Sequence, residues 1–213
     1  MAQNKKILYT SYFNFVLICL VGISVIIYLQ LDKHTSPKHP ANSQYTIIEN
    51  LYGAHIKTEA GKYNLPENYF KALILLETSA RKNIPHRFEP HVYKELLKVK
   101  KGLRKNYEYV TQKTLINMSD NAIRNLASSW GPFQIMGYKC IQLGIYVADL
   151  RGKQAIKWGI AWINENYGHL LRQKRFKDAF HMHNTGRIFP KNGISLTHNS
   201  QYVENGLYYM KQF

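Results

Sequence analysis

The sequence predicts a mainly α chain, one helical domain that follows a single apolar N-terminal segment. Three observations carry this. Apolar residues recur at helical spacing in one stretch after another. Alternating, strand-like patterns are scarce. Proline, serine and polar breaks fall where helices should start or stop. At 213 residues the chain is long enough for one domain of moderate size and an appendage.

Residues 7–31, ILYTSYFNFVLICLVGISVIIYLQL, contain no charged side chain, a run long enough to cross a bilayer as a helix. Tyr9, Tyr12 and Tyr28 lie near its ends, where interfacial aromatics belong. A cleaved signal peptide is the rival reading, but the run is long for one and no small-x-small pair follows it. Ile18 is also too bulky before Cys19 for a lipoprotein signal. The expectation is an uncleaved, single-pass transmembrane anchor in an inner membrane. Residues 1–6, with Lys5 and Lys6, would be a cytoplasmic tail, and the domain would face the periplasm or another extracytoplasmic space.

Residues 32–44, DKHTSPKHPANSQ, are polar with two prolines and read as a linker; residues 45–213 read as the domain. Within it, Ile47, Ile48, Leu51, Tyr52 and Ile56 recur at helical spacing. Pro66 can sit in the first turn of the next helix, where its missing N–H costs nothing. That helix, NYFKALILLE, is apolar nearly all round and should be buried. Pro90 can open another, through VYKELLKVKK, and Ser119 is a fitting N-cap for DNAIRNLA. Further helices are expected around QIMGYKCIQLG, through RGKQAIKWGIAWINENYG, through LLRQKRFKDAFHM, and from Ser200 onward.

Lys and Arg number 29 against 13 Asp and Glu, a net charge of +16; +14 remains when Lys5 and Lys6 are set aside. Such a field favours polyanions, whether nucleic acid, acidic lipid or a wall rich in carboxylates and phosphates. Nucleic-acid binding would need a groove-reading helix or an aromatic platform, and neither pattern is present. Cys19 and Cys140 are far apart, so the core rather than a disulfide must hold the fold. No cofactor loop is seen. His181 and His183, two apart on a helix, point to different sides and lack the spaced partners of a metal site.

The thirteen carboxylates can be sorted by neighbourhood. Asp32 lies in the linker; Glu49, Glu59, Glu95, Glu108, Glu165, Asp178 and Glu204 sit beside polar or basic residues, as solvated groups do. Glu67 and Asp120 occupy first turns, which favour acids through the helix dipole. Asp149 falls at a loop-to-helix junction. Glu77 differs, because it follows Ala72-Leu73-Ile74-Leu75-Leu76, where desolvation should raise its pKa and keep it protonated. A protonated carboxyl is what general-acid attack on a glycosidic oxygen requires. The plainer reading pairs Glu77 with Arg81 or Lys82 at a helix end. Glu89 is the second carboxylate of interest: it could orient a water, stabilise positive charge on a sugar ring, or merely cap the helix begun by Pro90.

The segment Ser128-Ser129-Trp130-Gly131-Pro132-Phe133-Gln134-Ile135-Met136 sets hydroxyls and one amide among large apolar side chains. Aromatic faces for sugar rings and polar groups for their hydroxyls make up a glycan cleft. Together with Glu77-Thr78-Ser79 and His183-Asn184-Thr185-Gly186, it resembles three ordered motifs of the lysozyme-like superfamily, which includes soluble lytic transglycosylases and goose-type lysozymes. The middle string, Phe88-Glu89-Pro90-His91-Val92-Tyr93 and Lys191-Asn192-Gly193 are similar to segments of the N-acetylmuramidase family of bacteria and phages. The likeness spans roughly residues 60–210.

The resemblance implies a lysozyme-like fold, with Glu77 as catalytic acid and Glu89 as a helper carboxylate. It implies that Gln134 and Asn184 position substrate, that Ser129 and Trp130 shape the cleft, and that His183 makes a sugar contact. Three departures stand out: Thr78 replaces a serine, His183 replaces a tyrosine, and Asn83 to Phe88 differs from the stretch usual before Phe-Glu. The implied substrate is peptidoglycan, cut at its MurNAc-β-1,4-GlcNAc bond by hydrolysis or by transglycosylation. A peptidoglycan-binding scaffold without turnover, and a component of an envelope-spanning secretion machine, are the alternatives. The basic run Lys94, Lys98, Lys100, Lys101, Arg104 and Lys105 reads as a solvated face, or as attraction to stem-peptide carboxylates or acidic lipid. Trp158 and Trp162, at helical spacing, read as core.

Overall fold

The computed structural model describes residues 41–213. The expected tail and anchor over residues 1–31 lie outside the described residues; among the described residues no helix is long and apolar enough to cross a membrane. The domain begins earlier than the sequence implies. Helix α1 (Asn42–Ile48) takes in the last residues assigned to the linker. Gln44 explains why: its side chain accepts from the Ala41 N–H and donates to the Ser79 carbonyl, tying this helix start to the end of a core helix.

A π-helical stretch, Glu49–Gly53, joins α1 to α2 (Ala54–Gly61), and the three form one continuous rod burying Ile48, Ile56 and Ala60. The wider turn explains why Leu51, at helical spacing from Ile48, is exposed instead. Helix α3 (Glu67–Thr78) follows Pro66 and is the centre of the core, with Tyr69 through Leu75 buried without a break. Its one buried cation, Lys71, is matched by Glu49 at 2.7 Å. The helix stops because Ser79 and Ala80 both take left-handed backbone, φ 51° and 59°.

Short strands, too brief for any alternation to show in the sequence, carry the functional segment. β1 (Arg87–Phe88) pairs antiparallel with a later strand, and helix α4 (Pro90–Lys100) starts at once with Pro90 in its first turn. The hairpin β2 (Asn106–Tyr107) and β3 (Val110–Thr111) turns through Glu108, which adopts φ 49°. After the one-turn α5 (Gln112–Leu115), helix α6 (Asp120–Leu126) is capped by the Ser119 hydroxyl, which accepts from the Ala122 N–H as its sequence position suggested. β4 (Ser128–Trp130) and β5 (Ile135–Met136) then complete a three-stranded sheet in the order β1-β4-β5, with Ser129 opposite both Arg87 and Met136.

This sheet corrects the helix expected around QIMGYKCIQLG. Ile135 and Met136 are strand, and only α7 (Lys139–Leu143) is helical. A 3-10 turn (Val147–Leu150) leads to α8 (Ala155–Arg172), which leaves helical geometry at Tyr167. A break at residues 173–175 splits the expected LLRQKRFKDAFHM helix, so that α9 (Phe176–Thr185) stands alone, and α10 (Tyr202–Met210) ends the chain. Asn68 donates to the Met210 carbonyl near one end of α3, while Tyr202 meets Glu77 at the other, so α10 runs antiparallel along α3.

The β4–β5 turn is locked by close packing. Gly131 has φ 70°, and a Cβ there would stand 1.9 Å from the Leu150 carbonyl oxygen. Gly131→Ala is therefore expected to cost about 2–4 kcal/mol, a left-handed penalty plus a backbone clash, read as a lower denaturant midpoint.

Candidate active site

Glu77 lies one residue before the end of α3, and its side chain is 17% exposed. Neither Arg81 nor Lys82 pairs with it among the described residues; the plainer helix-end reading is replaced by a set of uncharged partners. The Tyr202 hydroxyl donates to Glu77 Oε1. His183 Nε2 stands 3.9 Å from the same oxygen. Tyr69 and Tyr167, both fully buried, complete the surroundings. Burial, reinforced by the nearby Glu77 charge, holds the Tyr202 phenol far above its ordinary pKa, so it remains a donor throughout the physiological range.

His183 is fixed in one tautomer by its neighbours. A carbonyl oxygen can only accept, so the 2.9 Å contact to Phe133 puts the ring proton on Nε2. Nδ1 must then accept from the Tyr167 hydroxyl at 2.6 Å. Both ring nitrogens are thus committed within the protein. Asn184, the next residue, is exposed at the cleft edge, and its amide lies beside the Tyr202 hydroxyl.

The middle motif is divided by its own turn. Ser129 is buried, and its hydroxyl donates to Gln134 Oε1 at 2.9 Å, while the Gln134 amide donates to the Gly131 carbonyl at 3.0 Å. Gln134 has φ 48° and is held from both ends. It lines the small hollow of ≈ 110 Å³ that contains Glu77, and also a cleft of ≈ 610 Å³ beyond. That cleft carries Glu89, His183 and Asn184. Trp130 does not join them. It is 7% exposed, its indole N–H donates to the Asn125 carbonyl, and it lines a different hollow on the other side of the turn.

Glu89 precedes α4 without capping it, since its side chain accepts no helix N–H. Its carboxylate pairs with Arg87 at 2.6 Å and stands 3.6 Å from His91. The sequence reading passed over several residues the structure brings to the same cleft. Glu108, read as merely solvated, accepts from the Tyr138 hydroxyl at 2.7 Å and pairs with Lys139. Trp162, read as core, is 8% exposed and still contributes to the cleft wall, packing edge-on against His183. Tyr167 and Tyr202 had no local signal beyond a tyrosine-rich composition. The basic run after Lys94 remains at the surface, where Glu95 accepts from Lys98 and Arg104 and its carboxyl is held below the usual range by those hydrogen bonds.

Burial lowers the His183 pKa from its ordinary 6.5, against the opposing pull of the Glu77 charge and the Phe133 carbonyl. The unfolded chain therefore takes up a proton that the folded chain resists. This contribution to stability is complete above about pH 6.5 and is lost as the pH falls below it. Thermal melts are expected to show Tm declining from pH 7 to pH 5, with a shallower decline in His183→Gln.

No family model and no curated protein matches this chain. Among solved structures, the crystal structure of the Burkholderia AP3 phage endolysin is similar with a TM-score of 0.50 and 17% sequence identity. The likeness covers 75% of this chain and 70% of that one. At that identity what is shared is the fold, which is mainly helical.

Proposed function

We propose that this protein is a peptidoglycan-cleaving enzyme that cuts the MurNAc-β-1,4-GlcNAc bond, with Glu77 as general acid. One observation carries the reading: a mostly buried carboxylate, supplied with a phenolic donor and with no Lys or Arg partner among the described residues, opens on a hollow whose other wall is a rigidly held glutamine. The likeness of fold to a phage endolysin supports it, as does the resemblance of the three motifs to N-acetylmuramidases.

In this reading Tyr202 orients Glu77 through Oε1, which leaves Oε2 to carry the proton to the leaving glycosidic oxygen as the sugar gains oxocarbenium character. Gln134 and Asn184 position the acetamido sugars. His183 and Ser129 act through others, by fixing Tyr167 with the Phe133 carbonyl and the Gln134 amide respectively. Glu89 faces the larger cleft with Arg87 beside it, where it can orient an attacking water. If water attacks, the product is a reducing end; if the muramyl 6-hydroxyl attacks, Glu77 takes back a proton and an anhydro end results. Residues 7–31 would hold the domain at the membrane, close to the wall it acts on.

Glu77→Gln keeps the shape of the side chain and removes the proton it delivers. Digestion of purified sacculi by this variant is expected to fall about 10²–10⁴-fold, with binding to sacculi retained. Mass spectrometry of the wild-type products separates hydrolysis from transglycosylation by one water. Binding without any wild-type cleavage would replace the enzyme by a wall-binding scaffold.

A further inference from the structure

A further cavity is larger than both the Glu77 hollow and the cleft beyond Gln134. It is a hollow of ≈ 740 Å³ on the other side of the β4–β5 turn, between the N-terminal rod, the loop before β1 and the segment leading into α8. It abuts the Glu77 hollow, because Ile84 and Pro85 line both. Glu77 therefore sits between two arms: one through Gln134 to Glu89 and Glu108, the other past Pro85 to this hollow.

The two arms differ in charge. On the Gln134 side each carboxylate has its cation, Glu89 with Arg87 and Glu108 with Lys139. The other arm holds Lys82, Arg151 and Lys153, and no Asp or Glu lines it. Among the described residues none of these three cations has a carboxylate within ion-pair distance, and all three are exposed. Its wall is Trp130, with His86 stacked on the ring at 4.7 Å and the Arg151 guanidinium 4.9 Å from the ring centre. Three like charges around one concavity repel each other, and only Arg151, over the Trp130 ring, has a favourable contact to set against this. They do gain when an anion enters, and a neutral glycan could not exploit them.

We propose that this basic arm is a carboxylate-recognising extension of the cleft, which takes the acidic substituent of the muramyl residue beside the scissile bond. The inference rests on the proposed glycan cleavage and names the part of the substrate that sets its specificity. The exposed His86 ring, held flat by stacking on the buried Trp130, supplies a face for a sugar or peptide backbone. Lys82, Arg151 and Lys153 meet the carboxylates, which belong either to the stem peptide or to the lactyl group left free when the peptide is absent. Trp130 thus acts behind His86 and Arg151, in the opposite arm from Gln134 and Asn184.

The test measures binding to full-length Glu77→Gln protein, so that turnover does not interfere. Three probes are used: soluble glycan strands with stem peptides, the same strands after amidase treatment, and neutral N-acetylglucosamine oligosaccharides. Adding Lys82→Gln and Lys153→Gln is expected to weaken binding of the peptide-bearing strands about tenfold at low salt, with the difference shrinking as salt rises. Binding of the neutral oligosaccharides should hold. Arg151→Gln alone should act in the same direction. An equal loss on amidase-treated strands assigns the arm to the lactyl carboxylate, and a smaller loss assigns it to the stem peptide. If the charge variants bind all three probes as the parent does, or lose the neutral oligosaccharides equally, the basic arm has no such role while cleavage by the wild type still stands. If the wild type cleaves no strand and Glu77→Gln binds none, both readings fall.

Discussion

A carboxylate at the end of the most buried helix has to be satisfied by something, and here it is satisfied by a phenol 125 residues away in sequence. Much of the architecture follows from that contact. It requires α10 to lie antiparallel on α3, with Asn68 and Met210 closing the other end. It requires α9 to end beside the same point, so that His183 and Asn184 arrive there together. A lysine or arginine in place of Tyr202 would set a full countercharge against Glu77. A phenol whose own ionisation is suppressed by burial donates a hydrogen bond without supplying a countercharge.

The second constraint is the four-residue turn between β4 and β5. Its geometry comes from Gly131, where no side chain fits against the Leu150 carbonyl, and from Gln134, held in left-handed backbone by contacts at both ends of its amide. The Phe133 carbonyl, presented by the same turn, sets the His183 tautomer. One short loop therefore aligns the amide wall of the Glu77 hollow, fixes the histidine behind it and separates an arm of paired charges from a basic one.

Several features were legible in the residues alone. The apolar run before Glu77 marked a buried helix, and the Ser119 cap and the Pro90 start were visible because capping is a local matter. Glu77 stood out among thirteen carboxylates because the residues before it leave no solvent to share. The small sheet was not legible, since two- and three-residue strands carry no alternation and are held by partners from distant segments. Trp130 and Gln134 sit four residues apart and looked like one surface; the turn sends them into different hollows.

The sequence by itself determined that the helix before Glu77 would be buried, where several helices begin, and the order in which an acid, an amide and an asparagine follow one another. Those properties depend on hydrophobic spacing and local capping, which neighbours a few residues apart decide. Only the tertiary structure decided what surrounds the acid. Tyr202, Tyr167 and the tautomer of His183 come from helices that meet through packing, and Lys82 faces Arg151 and Lys153 only because the rod, a loop and the start of α8 close around one hollow. Charge can be counted along a chain, but whether a cation is paired or left waiting depends on which distant carboxylate the fold brings to it.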